Sequence, residues 1–384
     1  MKKLDRLELL ITKFNEEIHF QSIKMTFVDM IPLILGVGVV YIINLFLKSS
    51  LLNLFLMSFE LLYGICICLL YTIHYCQFKN INNRISLLFS LLLGFMTIYT
   101  HQSGDTLAIA LPLLVINLIG IEWLNYFDQF NFKIKYFPIA VVQYFTQLIP
   151  IMMGISYLLI AVLFKGLYLP FLITCFQLLL QLLSSIIGSI IIVVLICYCW
   201  VHGIHGVSVI GGMIRPFWTQ MLMVNLMCVL LNEPMVYTVT EGFFQWFVWI
   251  GGSGGTFGLV ILCRYFAKSQ SLQEIGKEAL SYSWYNINEQ VIFGLPIVHN
   301  KYMKVPFYIV PIVQTILSYM LIYHGLINQT FLIAPWVFPS IMGAFYTTGG
   351  SINAVVLVIV NIVLSILIYL PFFIKYDRQL VKGD

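Results

Sequence analysis

Leu182–Val201 reads LLSSIIGSIIIVVLICYCWV, 20 positions without one charged side chain. A run of that length and character matches the hydrocarbon thickness of a bilayer, because a spanning helix needs about 20 apolar residues. Comparable runs cover Met25–Phe46, Leu54–Tyr75, Ile85–Tyr99, Thr106–Tyr126, Ile139–Phe164, Val207–Leu231, Pro306–Tyr323 and Ser351–Phe373, with a shorter one at Thr256–Ala267. They are continuous rather than alternating, so an outer-membrane barrel fits poorly. With 60% of residues hydrophobic and 9% charged, the chain reads as an all-α integral membrane protein of about ten transmembrane helices. The net charge of +4 sits in short loops and gives no reason to expect nucleic acid as a partner.

The loop charges set topology. Lys2, Lys3 and Arg6 at the start, Lys79 and Arg84 after the second run, and Lys133 and Lys135 after the fourth alternate with the Lys- and Arg-free loop His101–Asp105. Lys375, Arg378 and Lys382 follow the last run. The positive-inside rule then predicts both termini in the cytoplasm of a bacterial cell. Residues 1–24 mix charges with apolar residues and read as an amphipathic surface segment, not a cleavable signal peptide. The eight cysteines lie in or beside apolar runs with no C-x-x-C pair, so they read as small buried hydrophobes. No cofactor and no metal are expected. Asp29 and Glu60 lie inside spans, where either could serve helix packing or function.

From Lys165 the pattern changes. Residues 165–181 are apolar but broken by Gly166 and Pro170, as expected of a connecting amphipathic helix along the membrane. Two later segments, near 235–255 and 328–350, are too interrupted to cross as regular helices. The first ends in Gly251-Gly252-Ser253-Gly254-Gly255; the second holds Ala334-Pro335-Trp336-Val337-Phe338-Pro339 and Thr347-Thr348-Gly349-Gly350. Irregular backbone at membrane depth survives only when buried in protein or lining a cavity, so both read as re-entrant hairpins in the C-terminal half. Paired interrupted segments of this kind point to a substrate site.

One stretch concentrates polar chemistry in apolar surroundings. Trp284–Asn300 carries Asn286, Asn288, Glu289 and Gln290, then a break at Gly294 and Pro296. An ionisable side chain at membrane depth costs about 2.5–3.5 kcal/mol on insertion scales and normally faces a protein interior or a wet cavity. A binding site explains the stretch; an ordinary cytoplasmic loop with a solvated Glu289 is the other reading.

Together, G-I-H-G at Gly203–Gly206, G-G-S-G-G-T at Gly251–Thr256, N-I-N-E-Q-V-I-F-G-L-P-I-V at Asn286–Val298 and A-P-W-V-F-P at Ala334–Pro339 resemble one family. It is the membrane-embedded IIC component, or permease, of the phosphoenolpyruvate-dependent sugar phosphotransferase system, in its lactose/cellobiose/diacetylchitobiose branch. The four motifs keep the family's order over nearly the whole chain; Lys133–Pro150 is a weaker match. The resemblance implies a homodimer, with residues 25–164 as a dimerisation bundle, 182–373 as a substrate-binding transport domain and 374–384 as a cytoplasmic tail. It implies that a β-linked disaccharide or related sugar enters from outside. Its 6-hydroxyl then receives phosphate from a phosphocysteine on IIB, itself charged by IIA. Both partners would act in trans, since no soluble stretch here is long enough for either.

Matched by position, Glu289 and His205 are the implied catalytic residues. A carboxylate in a dry site can accept the hydroxyl proton, and an imidazole can hold the hydroxyl or the transferring oxygens. Asn288 and Asn286 would bind other hydroxyls, Trp336 would stack on a sugar face, and Gly252, Ser253 and Gly254 would let backbone approach the ligand. Each has a plainer reading: His205 as a histidine satisfied in helix packing, the glycine run as a tight turn, and Trp336 as an interfacial anchor. His202, His299 and Glu241 read as structural. One departure stands out. Where the family has N-E-P, this chain has Asn288-Glu289-Gln290, which restores an N–H and frees φ. A divergent homologue acting as an uncoupled facilitator, sensor or receptor is therefore the alternative. An ion-coupled transporter finds few buried acids to build a relay from.

Overall fold

The computed structural model describes residues 16–81, 84–100, 107–128, 139–295, 297 and 300–383. Most of the amphipathic segment at 1–24, the loop His101–Asp105, the basic stretch around Lys133 and Lys135, and Pro296 and His299 lie outside them. The described residues form helices and turns, with no strand among them. Eight helices are long and apolar enough to cross a membrane, and three shorter apolar helices accompany them. The chain is a multi-pass membrane protein that divides into two compact units between Leu179 and Leu180.

In the first unit, α1 (Ile18–Leu47) and α2 (Ser50–Lys79) form a hairpin of two 30-residue helices. At about 1.5 Å per residue each is longer than the hydrocarbon layer is thick. The turn is closed by Asn44, whose Oδ1 accepts from Ser49 N at 2.8 Å and whose Nδ2 donates to Asn53 Oδ1 at 2.5 Å. Lys48 in the left-handed region ends α1. Since α1 begins at Ile18, the last turns of the expected surface segment are continuous with the first span. There follow α3 (Arg84–Thr100), α4 (Ala110–Asp128), α5 (Ile139–Leu163) and α6 (Lys165–Ser184), the last one of the eight long apolar helices.

In lipid the hydrophobic effect does not drive helices together, so small residues and polar pairs must do more. Here Thr72 and Ser90 hydroxyls meet at 2.6 Å between α2 and α3, and Asn117 Nδ2 of α4 donates to Cys68 O and Thr72 Oγ1. Several ionisable groups are paired as well. Glu122 of α4 accepts from Lys79 Nζ at 3.0 Å and from the Tyr75 hydroxyl, and His19 Nε2 lies 3.1 Å away. Asp29 is paired with His74 at 2.9 Å. Around these, Phe89, Leu93, Leu113 and Ile116 form the apolar core.

The second unit contains α7 (Ile186–Val201), α8 (Gly212–Leu230, entered through a wide π turn at Val207–Gly211), α9 (Glu241–Phe243, widening into a π turn at Phe244–Val248) and α10 (Phe257–Phe266). Next come α11 (Gln270–Trp284), α12 (Glu289–Gly294), α13 (Lys304–Tyr323), α14 (Ser340–Thr347) and α15 (Ile352–Gly383). Two re-entrant hairpins repeat one design. In each, non-helical backbone leads into a short helix, a glycine-bearing turn reverses the chain, and a helix leads out. The helical piece of α14 has 8 residues, about 12 Å at 1.5 Å per residue, too short to cross.

The hairpins grip each other. Thr240 and Thr330 hydroxyls meet at 2.6 Å, and Asn225 of α8 ties both non-helical entry segments together. Its Nδ2 donates to Tyr237 O (2.8 Å) and Thr330 O (3.1 Å), while Oδ1 accepts from Tyr237 N (2.9 Å). These bonds satisfy non-helical backbone that lipid cannot. At the far end of α15, Asp377 accepts the Lys268 and Ser269 N–H groups and so ties α15 to the start of α11. None of the eight cysteines is in a disulfide; six are buried, with Cys66 half-buried and Cys175 exposed. The described residues contain no cluster suited to a metal ion.

Candidate functional site

The four sequence motifs, spread over more than a hundred residues, come together around the tip of the first hairpin. The glycine turn Gly251–Gly255 is buried, with positive φ at Gly251, Gly252, Gly254 and Gly255. Gly252 is the sharpest case: its φ is 102°, and a Cβ there would overlap the Asn288 carboxamide. The carbonyls of Gly254 and Gly255 accept from Tyr369 OH (2.9 Å) and Ser365 Oγ (2.6 Å) of α15. The turn is thus fixed from behind by hydroxyls one helical turn apart.

Asn288 is 4% exposed and donates from Nδ2 to Ser253 O (2.7 Å) and Thr256 Oγ1 (2.9 Å), docking the N-I-N-E segment on that turn. Ser253 Oγ in turn accepts from Trp200 Nε1 at 3.0 Å, and the His205 ring lies against Trp200 with centroids 4.4 Å apart. His205 Nδ1 accepts from Ser208 N at 3.1 Å, so in the neutral ring the proton sits on Nε2. His205 is itself exposed, whereas Gly206 is pressed against the Ile196 carbonyl of α7, where a Cβ would overlap that oxygen. His202 is occupied by the Tyr198 carbonyl, 2.8 Å from its Nδ1.

Asn286 joins the second hairpin to the first. It has φ 61°, and its Oδ1 accepts from Gly251 N (3.0 Å) and Ser340 Oγ (2.7 Å) while Nδ2 donates to Phe338 O (3.2 Å). A shallow cleft opens here, lined by Gly251, Phe257, Trp284, Asn286 and Ser340. In this arrangement both asparagine carboxamides are engaged with protein. Trp336, from the same Ala334–Pro339 segment, is 63% exposed and has no ring partner among the described residues.

Glu289 opens α12, is half-buried, and its Oε2 is buried with no hydrogen-bond partner. The next residue repeats the pattern: Gln290 Oε1 is also buried and unpartnered. A buried acceptor left without a donor costs about 1–3 kcal/mol, more for a charged group, so a ligand hydroxyl that supplied the donor here would be stabilising.

Sequence reading passed over Arg215, yet a lone arginine inside the apolar run Val207–Leu231 is the signal that finds it. Its Nε and Nη2 both donate to Glu241 Oε1, at 3.1 and 2.8 Å, with side chains only 22% and 27% exposed. The pair fastens α8 to the start of the first hairpin. Replacing Arg215 with Leu strands Glu241 and is expected to destabilise by about 2–4 kcal/mol. Arg215→Leu combined with Glu241→Leu should recover much of that loss, because no uncompensated charge remains. Thermal melts in detergent check both.

Residues 97–311 match the family described as Phosphotransferase system, EIIC. Among curated proteins, the lichenan permease IIC component of Bacillus subtilis (strain 168) is 35% identical over 202 residues, 52% of this chain and 45% of that one. The cellobiose-specific EIIC component of the PTS of Geobacillus stearothermophilus is 32% identical over 199 residues, 51% of this chain and 44% of that one. The aligned part of this chain spans less than half the length of these relatives. In overall fold it is similar to the crystal structure of the transporter ChbC, the IIC component of the N,N'-diacetylchitobiose-specific phosphotransferase system. The TM-score is 0.78 at 23% identity, covering 98% of this chain and 97% of that one.

Proposed function

The chain belongs to the phosphotransferase system EIIC family, and from that premise we propose that it is a sugar-specific permease subunit for a β-linked disaccharide or related sugar. It takes the sugar from outside the cell, carries it across the bilayer and presents the 6-hydroxyl to a phosphorylated IIB protein. IIB, and IIA behind it, act in trans, and the first unit is the dimerisation surface of a homodimer with both termini in the cytoplasm. The observation that carries this reading is the convergence of the four motifs on the glycine turn Gly251–Gly255, where Asn288 docks, with the next residue, Glu289, holding a buried Oε2 that has no partner.

In the transfer, the sugar oxygen bonds to phosphorus as the phosphocysteine S–P bond breaks. The Glu289 carboxylate takes the hydroxyl proton, and the His205 Nε2–H donates to a transferring oxygen. Such chemistry is mostly positioning and electrostatics, so these two groups suffice when held correctly. Asn286, Asn288 and Ser253 give the pocket its shape by fixing both hairpin tips. Trp336 supplies an exposed aromatic face for the sugar ring. Departure of the family proline at Gln290 favours a second reading, an uncoupled facilitator, sensor or receptor on the same scaffold.

The test is a titration of the purified protein in detergent with cellobiose, lactose, N,N'-diacetylchitobiose and monosaccharides, followed by addition of phosphorylated IIB. Saturable binding of one disaccharide and formation of its 6-phosphate are expected. Binding with no phosphate transfer from any cognate IIB would favour the uncoupled reading. A folded sample that binds none of these sugars would remove the permease reading.

A further inference from the structure

We propose that Gln290 is a second hydrogen-bond acceptor for the sugar, beside Glu289, and that the two select a neutral ligand offering two hydroxyl donors over an ionised sugar acid. The inference rests on the permease reading above and deepens it. Its observation is separate: Gln290 Oε1 is buried and unpartnered, on the residue directly after Glu289, whose Oε2 is in the same condition. Both side chains leave the first turn of α12, whose N-cap Asn288 is pinned to the glycine turn.

Several of the other buried oxygens without donors belong to side chains committed elsewhere. Gln314 and Asn361 each carry one, yet their amide nitrogens donate to Asn361 O and Phe247 O inside the seam behind the hairpin. Those amides hold helices together. Gln290 lies on the polar stretch next to the proposed base and has no such tie through its oxygen.

The chemistry of two adjacent acceptors is restrictive. A carboxylate and an amide oxygen both demand donors, and a pair of hydroxyls on one sugar satisfies them together. A uronate or sugar phosphate would set negative charge against Glu289, an arrangement a low-dielectric site penalises strongly. A site built to hydrogen-bond a substrate hydroxyl also rejects the analogue that lacks it, because its own buried group is then left unpaired. The proline that the family resemblance places here has no side-chain acceptor, so the added selectivity belongs to this chain.

The test uses whichever of cellobiose, lactose or N,N'-diacetylchitobiose the wild type binds most tightly, its series of monodeoxy analogues and its uronic acid form. Binding is followed by calorimetry with wild type, Gln290→Leu and Gln290→Met, the second variant serving if the first does not fold. The substitutions are expected to weaken the parent sugar about tenfold, and one monodeoxy analogue, penalised about tenfold by wild type, should lose that penalty in the variants. The sugar-free melting temperature should rise, since a buried acceptor without a donor is gone. Variants that bind every sugar as wild type does would overturn the proposal, as would a lowered melting temperature with the deoxy penalties intact. A wild type that binds none of the three sugars fails before any variant is made, and takes both this inference and the permease reading with it.

Discussion

Glu289→Gln is expected to abolish sugar phosphorylation while leaving the protein folded. The substitution keeps the size and shape of the side chain and replaces an acceptor with an amide that cannot take a proton. A positioned general base contributes about 10²–10⁴-fold, so the transfer rate from phosphorylated IIB should fall at least roughly 100-fold. Stability should hold or rise, because Glu289 Oε2 has no partner in the protein to lose. Sugar affinity should fall less than rate, since a glutamine oxygen still accepts from a hydroxyl. The combination is diagnostic: a single-turnover assay with labelled phospho-IIB reads the rate, calorimetry reads affinity, and a melt reads the fold. Unchanged phosphorylation by the variant would sink the proposed role of Glu289 as base. A matching loss of rate and melting temperature would instead mark the residue as structural.

What the sequence made legible, and what it did not, divides along physical lines. Apolar length reports a span because bilayer thickness is a constant, so Leu54–Tyr75 lies inside α2, and Ser351–Phe373 lies inside α15 but for its first residue, with little else needed. Glycine runs report broken helices because only a few backbone conformations turn that tightly, hence the turn at Gly251–Gly255. Partner choice is another matter. Nothing local in Asn286 separates an amide that binds sugar from one that accepts from Gly251 N and Ser340 Oγ, since those partners are 35 and 54 positions away. The Arg215–Glu241 pair is likewise set by how α8 meets the hairpin, 26 residues on. Asp29 reads as an acid inside a span in sequence and is paired with His74 in the fold, as Glu122 is with Lys79. In a membrane the cost of leaving a polar group unpaired is high enough that almost every one finds a partner. Among the buried acceptors left without a donor, Glu289 and Gln290 stand apart because they are consecutive and follow Asn288, which docks on the glycine turn.

The largest structural effect is expected at Asn286. Asn286→Leu should uncouple the two hairpin tips and destabilise the protein by about 3–5 kcal/mol, from two sources that add. Three hydrogen bonds are lost, leaving Gly251 N, Ser340 Oγ and Phe338 O without their partner, at about 0.5–1.5 kcal/mol net for each. The backbone there has φ 61°, which asparagine tolerates and a larger aliphatic side chain does not, adding about 1 kcal/mol. Asn286→Asp separates the contributions. An aspartate keeps the left-handed backbone and the acceptor for Gly251 N and Ser340 Oγ, and loses only the donor to Phe338 O. It should therefore melt much closer to wild type while Asn286→Leu does not. Sugar binding should follow the same order, because the cleft beside Trp284 is walled by Gly251 on one hairpin and Ser340 on the other. A direct hydroxyl ligand would behave differently: Asn286→Asp would then shift affinity as strongly as Asn286→Leu with no change in melting temperature. The ratio of the two variants' effects on stability and on binding thus decides whether Asn286 acts on the sugar or on the hairpins that enclose it.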